Sequence, residues 1–218
     1  AKVIFNGDGS DELTGGYMYL HMAPHADEFD AECCRLLKDI HAFDVLRSDK
    51  CISSHGLEPR TPFLDRGWVR FYLSLPKELR YNAGNNLCEK YLLRQAFQDM
   101  ESDILPREIL WRTKEAFSDG VSSQSRSWYE IIQEKCNDMI ISDPNMKEAL
   151  LSYSKIEINP PKTLEQNYYR YLFELNYAGL GNIVPYFWMP KYIDANDASA
   201  RTLDVYKKQN TNNMDCTN

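Results

Sequence analysis

Lys2-Val3-Ile4-Phe5-Asn6-Gly7-Asp8-Gly9-Ser10-Asp11-Glu12-Leu13 reads as a strand, a tight loop and the start of a helix. The apolar run Val3–Phe5 breaks at a Gly-acid-Gly turn. Ser10, Asp11 and Glu12 suit a helix cap and first turn. Gly7 and Gly9 permit a positive φ and a close backbone approach to a ligand. A loop of this kind can hold a phosphate on its backbone N–H groups, and it sets the Asp8 carboxylate between two glycines. The same residues also fit an ordinary β-to-α connection whose acids only cap the helix, because short glycine patterns are weak signals.

The chain has 218 residues, 43% hydrophobic and 26% charged, a globular composition with enough length for a sizeable core. Its formal net charge of −7 argues against a nucleic-acid or anionic-membrane partner. No apolar run approaches the roughly 20 residues needed to span a bilayer. Six cysteines show neither C-x-x-C nor regular spacing and read as reduced thiols of a cytoplasmic protein. His21, His25, His41 and His55 show no ligand spacing with them. The sequence opens on Ala1, without a signal peptide and directly on a strand. The expectation is the C-terminal part of something longer.

Downstream, Phe29, Cys33, Leu36, Leu37, Ile40, Phe43, Val45 and Leu46 fall at a spacing that predicts one helix over 27–48 with an apolar core stripe. Pro59 and Pro62 predict a turn over 58–65, and residues 66–75 predict a helix stopped by Pro76. Further helices are predicted over 88–99, 106–110, 126–140, 145–152 and 163–176. The polar tail 204–218 predicts disorder. One strand followed by many helices fits the later part of an α/β domain whose sheet lies mostly upstream.

Three segments concentrate Gly, Pro and charge outside the helical stripes: Asn6–Glu12, His55–Asp65 and Trp111–Gly120. Their order and content resemble glutamine-dependent asparagine synthetases of the animal-like form, in the C-terminal part of the synthetase domain. The resemblance rests on G-x-G-S-D-E-L-T-x-G-Y at Gly7–Tyr17, R-L-L-x-D-I-H-x-F-D-V-L-R at Arg35–Arg47, H-G-L-E-x-R-x-P-F-L-D at His55–Asp65, L-W-R-x-K-E-A-F-S-D-G at Leu110–Gly120 and D-A-S-A-R-T-L at Asp197–Leu203. It assigns residues 1–203 to that domain part.

The resemblance implies an adenine nucleotide α-hydrolase-like α/β fold, of which this is the mostly helical C-terminal part. It implies asparagine synthesis from aspartate, ATP and glutamine-derived ammonia through β-aspartyl-AMP, with Mg²⁺ accompanying the nucleotide. It also implies an N-terminal glutaminase domain in the parent chain and leaves a homodimer open. On this reading the backbone of Asn6 and Gly7 borders the AMP portion. Asp8 serves intermediate formation or accepts a proton from ammonia, and Lys114 faces the α-phosphate or leaving pyrophosphate. By composition alone Lys114 would be a surface lysine paired with Glu115 or Asp119. Arg60, with Glu58 beside it, would contact a carboxylate or phosphate, or Arg60 would brace the turn through Asp65.

Two departures fall on this pattern. The family reads Ser-Gly-Glu-Gly where this chain has Asn6-Gly7-Asp8-Gly9, so the acid is one methylene shorter. The family's Ser-Gly-Gly-x-Asp-Ser-Ser pyrophosphate loop does not occur in these 218 residues. The expectation is therefore an inactive isolated chain that contributes to a longer enzyme. The alternative is a non-catalytic remnant or helical interaction module. A ligase acting on another carboxylate is a third reading.

Overall fold

The computed structural model of the chain describes residues 2–85, 87–100, 104–112, 114–115, 121, 126–153, 156, 158–183 and 186–195. The tail 204–218 and the Asp197–Leu203 motif lie outside them. The order is β1 (Val3–Phe5), α1 (Ser10–Thr14), α2 (Ala26–Asp39), α3 (Asp44–Ser53), β2 (Glu58–Arg60), α4 (Arg66–Ser74), α5 (Lys77–Arg80), α6 (Tyr91–Gln98), α7 (Arg107–Leu110), α8 (Trp128–Ser142), α9 (Pro144–Tyr153) and α10 (Leu164–Asn176). Short 3₁₀ turns include Met18–Met22, Ile40–Ala42 and Pro62–Leu64. The fold is mostly helical, as the periodicity predicts.

The turn expected over 58–65 begins instead as a strand. β2 runs parallel to β1, with Val3 opposite Glu58, Ile4 opposite Pro59 and Phe5 opposite Arg60. Proline lacks a donor and normally interrupts a ladder. Here Glu58 N donates to Lys2 O at 2.8 Å and Asn6 N donates to Arg60 O at 2.9 Å, and both bonds pass Pro59 by. The turn is confined to Pro62–Leu64. Asp65 then caps α4, its Oδ1 accepting from Trp68 N at 3.0 Å.

The single helix expected over 27–48 is two. A 3₁₀ turn follows α2, and Phe43 leaves the helical region (φ −122°, ψ −103°), so α3 sets off in a new direction. The apolar stripe stops at the same place. Phe29, Cys33, Leu36 and Ile40 are buried, whereas α3 has no buried residue. Periodicity reports a face and not a change of backbone dihedrals at one residue. The helix expected from residue 88 begins at Tyr91, because Lys90 sits in the left-handed region (φ 58°).

The chain divides into two compact units. One contains Ala1–Lys114 and Pro190–Asp194. Its core gathers Leu13 of α1, Met18, Tyr19 and Leu20 of the following turn, Phe29, Cys33 and Leu36 of α2, and Tyr72 of α4. Glu32 is fully buried in this core, where an unpaired carboxylate would be costly. It is satisfied by Tyr19 Oη at 2.8 Å and by the Arg35 guanidinium at 2.6 and 2.8 Å. The returning segment is tied to α2 through Tyr192 Oη, which donates to Glu28 O at 3.0 Å.

The other unit contains Glu115–Met189. Ile140 of α8 and Met146 and Leu150 of α9 form its core, with Tyr168 and Tyr171 of α10 packed on it. Glu130 Oε2 accepts from Ser127 N at 2.8 Å at the start of α8, and Thr163 Oγ1 caps α10 by accepting from Gln166 N at 3.2 Å. Such caps satisfy donors that an isolated helix end leaves open. Among the described residues no helix is long and apolar enough to cross a membrane. Cys33, Cys34, Cys51 and Cys136 are free thiols.

Candidate functional site

The loop Asn6–Gly9 leaves the C-terminal end of β1 and delivers α1. Of its two glycines only Gly9 takes a positive φ (89°), where an L side chain is disfavoured. A Cβ at Gly9 would also overlap the Leu64 side chain, whereas one at Gly7 would meet nothing within 4 Å. Gly9, not Ser10, is the N-cap of α1, and there is no side-chain cap bond. The Ser10 hydroxyl instead accepts from Lys90 Nζ at 2.8 Å.

Asn6 and Asp8 are locked together. Asn6 Oδ1 accepts from Asp8 N at 3.0 Å, while Asn6 Nδ2 donates to Asp8 Oδ2 at 3.1 Å. Ser48 of α3 donates its hydroxyl to that same oxygen. Helix α3 carries this hydroxyl because the Phe43 break re-aims the chain after α2.

In the first turn of α1, Asp11 holds two lysines. Lys90 Nζ lies 2.6 Å from Asp11 Oδ1 and Lys114 Nζ lies 2.9 Å from Asp11 Oδ2. All three side chains are mostly buried. Burial alone would raise the Asp11 pKa, but the two ammonium groups outweigh it and hold the carboxyl below its usual range. Two ammoniums on one carboxylate leave the trio with a net positive charge, which favours an anion beside it. Gly16 makes the room, because a Cβ there would overlap both Asp11 and Lys90. Lys114 is therefore not a plain surface charge, because its ammonium is held by Asp11. Asp119, its other expected partner, lies outside the described residues.

A second acid of α1, Glu12, is buried. Its Oε1 accepts from Tyr17 Oη at 2.7 Å, and Asp44 Oδ2 lies 3.3 Å from the same hydroxyl. Burial raises the Glu12 pKa against the effect of the Tyr17 bond. Burial, with Glu12 and Asp44 beside it, also keeps the Tyr17 phenol protonated.

Glu58 and Arg60 lie on β2 and form an ion pair at 2.6 Å, each side chain about half exposed or more. Arg60 is joined to the loop through its backbone carbonyl, which accepts from Asn6 N. Asp65 caps α4 and is not the partner of Arg60. The structure thus brings Asn6, Gly7 and Asp8 together in one loop with β2 alongside, and sets the Lys114 ammonium against Asp11 of the helix that the loop delivers. Sequence reasoning missed Asp11 as the lysine anchor, and Lys90 and Ser48 as partners. Lys90 stood inside a predicted helix with no mark of its own, and Ser48 stood at the end of another. Among the described residues no group of three His, Cys, Asp or Glu could hold a metal ion.

A family model described as asparagine synthase matches residues 21–178. An asparagine synthetase (glutamine-hydrolysing) of Gallus gallus is 51% identical over 205 residues, covering 94% of this chain. The proteins of the same name from Homo sapiens and Mus musculus are 49% and 48% identical over the same share. In each case the match covers 35% of the relative's length.

Proposed function

The chain belongs to the asparagine synthase family, and from that premise we propose that it forms part of an ATP-dependent enzyme that makes asparagine from aspartate. On this reading it is the mostly helical, C-terminal portion of an adenine nucleotide α-hydrolase-like synthetase domain. A glutaminase domain elsewhere in the parent chain supplies ammonia, and the protein works in the cytoplasm. The observation that carries the proposal is the pair of lysines gathered on Asp11, directly after the Gly-acid-Gly loop.

In the proposed reaction the aspartate side-chain carboxylate attacks the α-phosphorus of ATP and pyrophosphate leaves. Ammonia then attacks the acyl carbon of β-aspartyl-AMP, loses a proton and expels AMP. The first step concentrates negative charge on phosphoryl oxygens, so preorganised cations lower its barrier. Lys114 and Lys90 are the cations this chain offers, with the Ser10 hydroxyl held against Lys90. Asp8 takes the proton from ammonia, and the Asn6–Gly7 backbone borders the AMP portion. Arg60, with Glu58, lies beside the loop on β2 as a contact for substrate carboxylate or phosphate.

The donor set fits nucleotide phosphates better than a caged metal. Both Asp11 oxygens already face ammonium groups, so Mg²⁺ would be held chiefly by the phosphates of the nucleotide rather than by Asp11. Its chemistry there is to neutralise phosphate charge.

The test is synthesis by the full-length natural protein, supplied with aspartate, ATP, Mg²⁺ and either ammonia or glutamine. Asparagine, AMP and pyrophosphate in equal amounts are expected. No asparagine with either nitrogen source would overturn the proposal. The 218-residue chain alone is expected to be inactive.

A further inference from the structure

We propose that Asn6 and Ser48 form a positioning pair that fixes the Asp8 carboxylate, holding Oδ2 and leaving Oδ1 for the reacting groups. This rests on the synthetase reading above and goes further into the same site.

Two side chains meet on one oxygen of a third. Asn6 Nδ2 donates to Asp8 Oδ2 at 3.1 Å, and Ser48 Oγ donates to the same oxygen. Hydrogen bonds to an ionised carboxylate are the stronger class. A serine hydroxyl has one proton to give. The other acceptor in reach, Val45 O, lies at 3.4 Å, so the carboxylate is the better partner. The Asn6 amide also accepts from Asp8 N, and so grips the residue by main chain and side chain together. With both donors on Oδ2, the carboxylate plane is set from two directions, one from the loop and one from α3.

The arrangement suits this chain in particular. Its acid is one methylene shorter than the glutamate of the family pattern, and the preceding serine of that pattern is asparagine here. A short carboxylate on a glycine-flanked loop has little reach, and catalytic geometry tolerates little displacement. Asn6 supplies its acceptor and its donor on two separate atoms, whereas a serine hydroxyl would serve both from one oxygen. Ser48 adds the second fixing point from 40 residues away in sequence.

The test uses the full-length protein and steady-state synthesis of asparagine. Ser48→Ala is expected to lower kcat about tenfold, with KM for ATP and aspartate changed by less than about twofold, as for a contact that acts on the chemical steps. Ser48→Thr, which keeps the hydroxyl, is expected to restore most of the rate. In an Asp8→Asn background, Ser48→Ala is expected to add no further loss, because the pair acts through Asp8. Asp8→Glu, which restores the family acid in an orientation shaped for aspartate, is expected to lower the rate.

An active enzyme indifferent to Ser48→Ala would overturn the proposal. Equal losses from Ser48→Ala with and without Asp8 would do the same. A wild-type protein that makes no asparagine would instead overturn the synthetase reading, and with it the task assigned to Oδ1. The hold on Oδ2 would then stand or fall on a crystal structure of the protein that shows, or lacks, both donors.

Discussion

Lys114 lies 103 residues from Asp11 in sequence and places its ammonium 2.9 Å from the Asp11 carboxylate. The pair converts an isolated basic residue into a cation fixed at the start of the first helix. If that cation faces the phosphates, Lys114→Ala will depress ATP-dependent pyrophosphate release by about 10²-fold, the range seen when one oriented transition-state donor is removed. Lys90→Ala will act in the same direction. Single-turnover pyrophosphate assays check both, and normal release from Lys114→Ala would return it to a structural ion pair.

Asp8→Ala separates chemistry from binding. Removing a proton acceptor that acts after the nucleotide is bound lowers kcat while KM for ATP stays nearly constant. Steady-state kinetics with ammonia as nitrogen source is the direct check. A large rise in KM with unchanged kcat would show that Asp8 serves nucleotide binding.

Asp11→Asn makes the electrostatic anchor measurable. The folded-state pKa of Asp11 is depressed by Lys90 and Lys114. Its contribution is therefore present above the ordinary carboxylate value and lost as pH falls through the depressed one. The wild-type protein is expected to exceed Asp11→Asn in stability by about 1–3 kcal/mol at pH 7. The gap should close on acidification below the ordinary carboxylate range. Urea unfolding at a series of pH values measures it.

Glu12 has the opposite sign. Burial raises its pKa in the folded state, so the folded protein holds this proton more tightly than the unfolded one. The associated stability is full below the unfolded value and declines as pH rises through the folded value. Glu12→Gln keeps an acceptor for Tyr17 and removes the charge. It is expected to gain stability relative to wild type as pH goes from 4 to 7. A gap independent of pH would show that Glu12 ionises as freely folded as unfolded.

Much of the helical frame was legible because its signals are local. The apolar stripe of Phe29, Cys33, Leu36 and Ile40 marks the buried face of α2, and Pro76 follows the end of α4. The Gly-acid-Gly stretch was legible as a strand-to-helix loop for the same reason, since Gly9 answers to its own φ and to Leu64. What escaped was non-local or depended on a single dihedral. Pro59 reads as a turn residue until β1 arrives beside it with a register that needs no donor there. Phe43 ends one helix and starts another within a continuous apolar pattern. Lys90 and Ser48 carry no local mark, and their meaning comes from Ser10, Asp11 and Asp8, far away in sequence.

The parallel pairing of β1 with β2 also bears on the order in which the molecule assembles. Parallel strands cannot be joined by a tight hairpin. Bringing Phe5 beside Arg60 closes a loop that contains α1, α2 and α3, and the entropy of that closure must be met before the short ladder repays it. Helices with local contacts form earlier than such pairings, so the Asn6–Gly9 loop takes its final shape after α2. Pulse-labelled hydrogen exchange during refolding should find the Asn6 and Glu58 amides protected later than those of α2. Simultaneous protection would mean that the strands dock as the helices form. A late ladder makes maturation of the site a sensor of complete folding: a chain arrested before strand docking would have its helices and still lack the loop that presents Asp8.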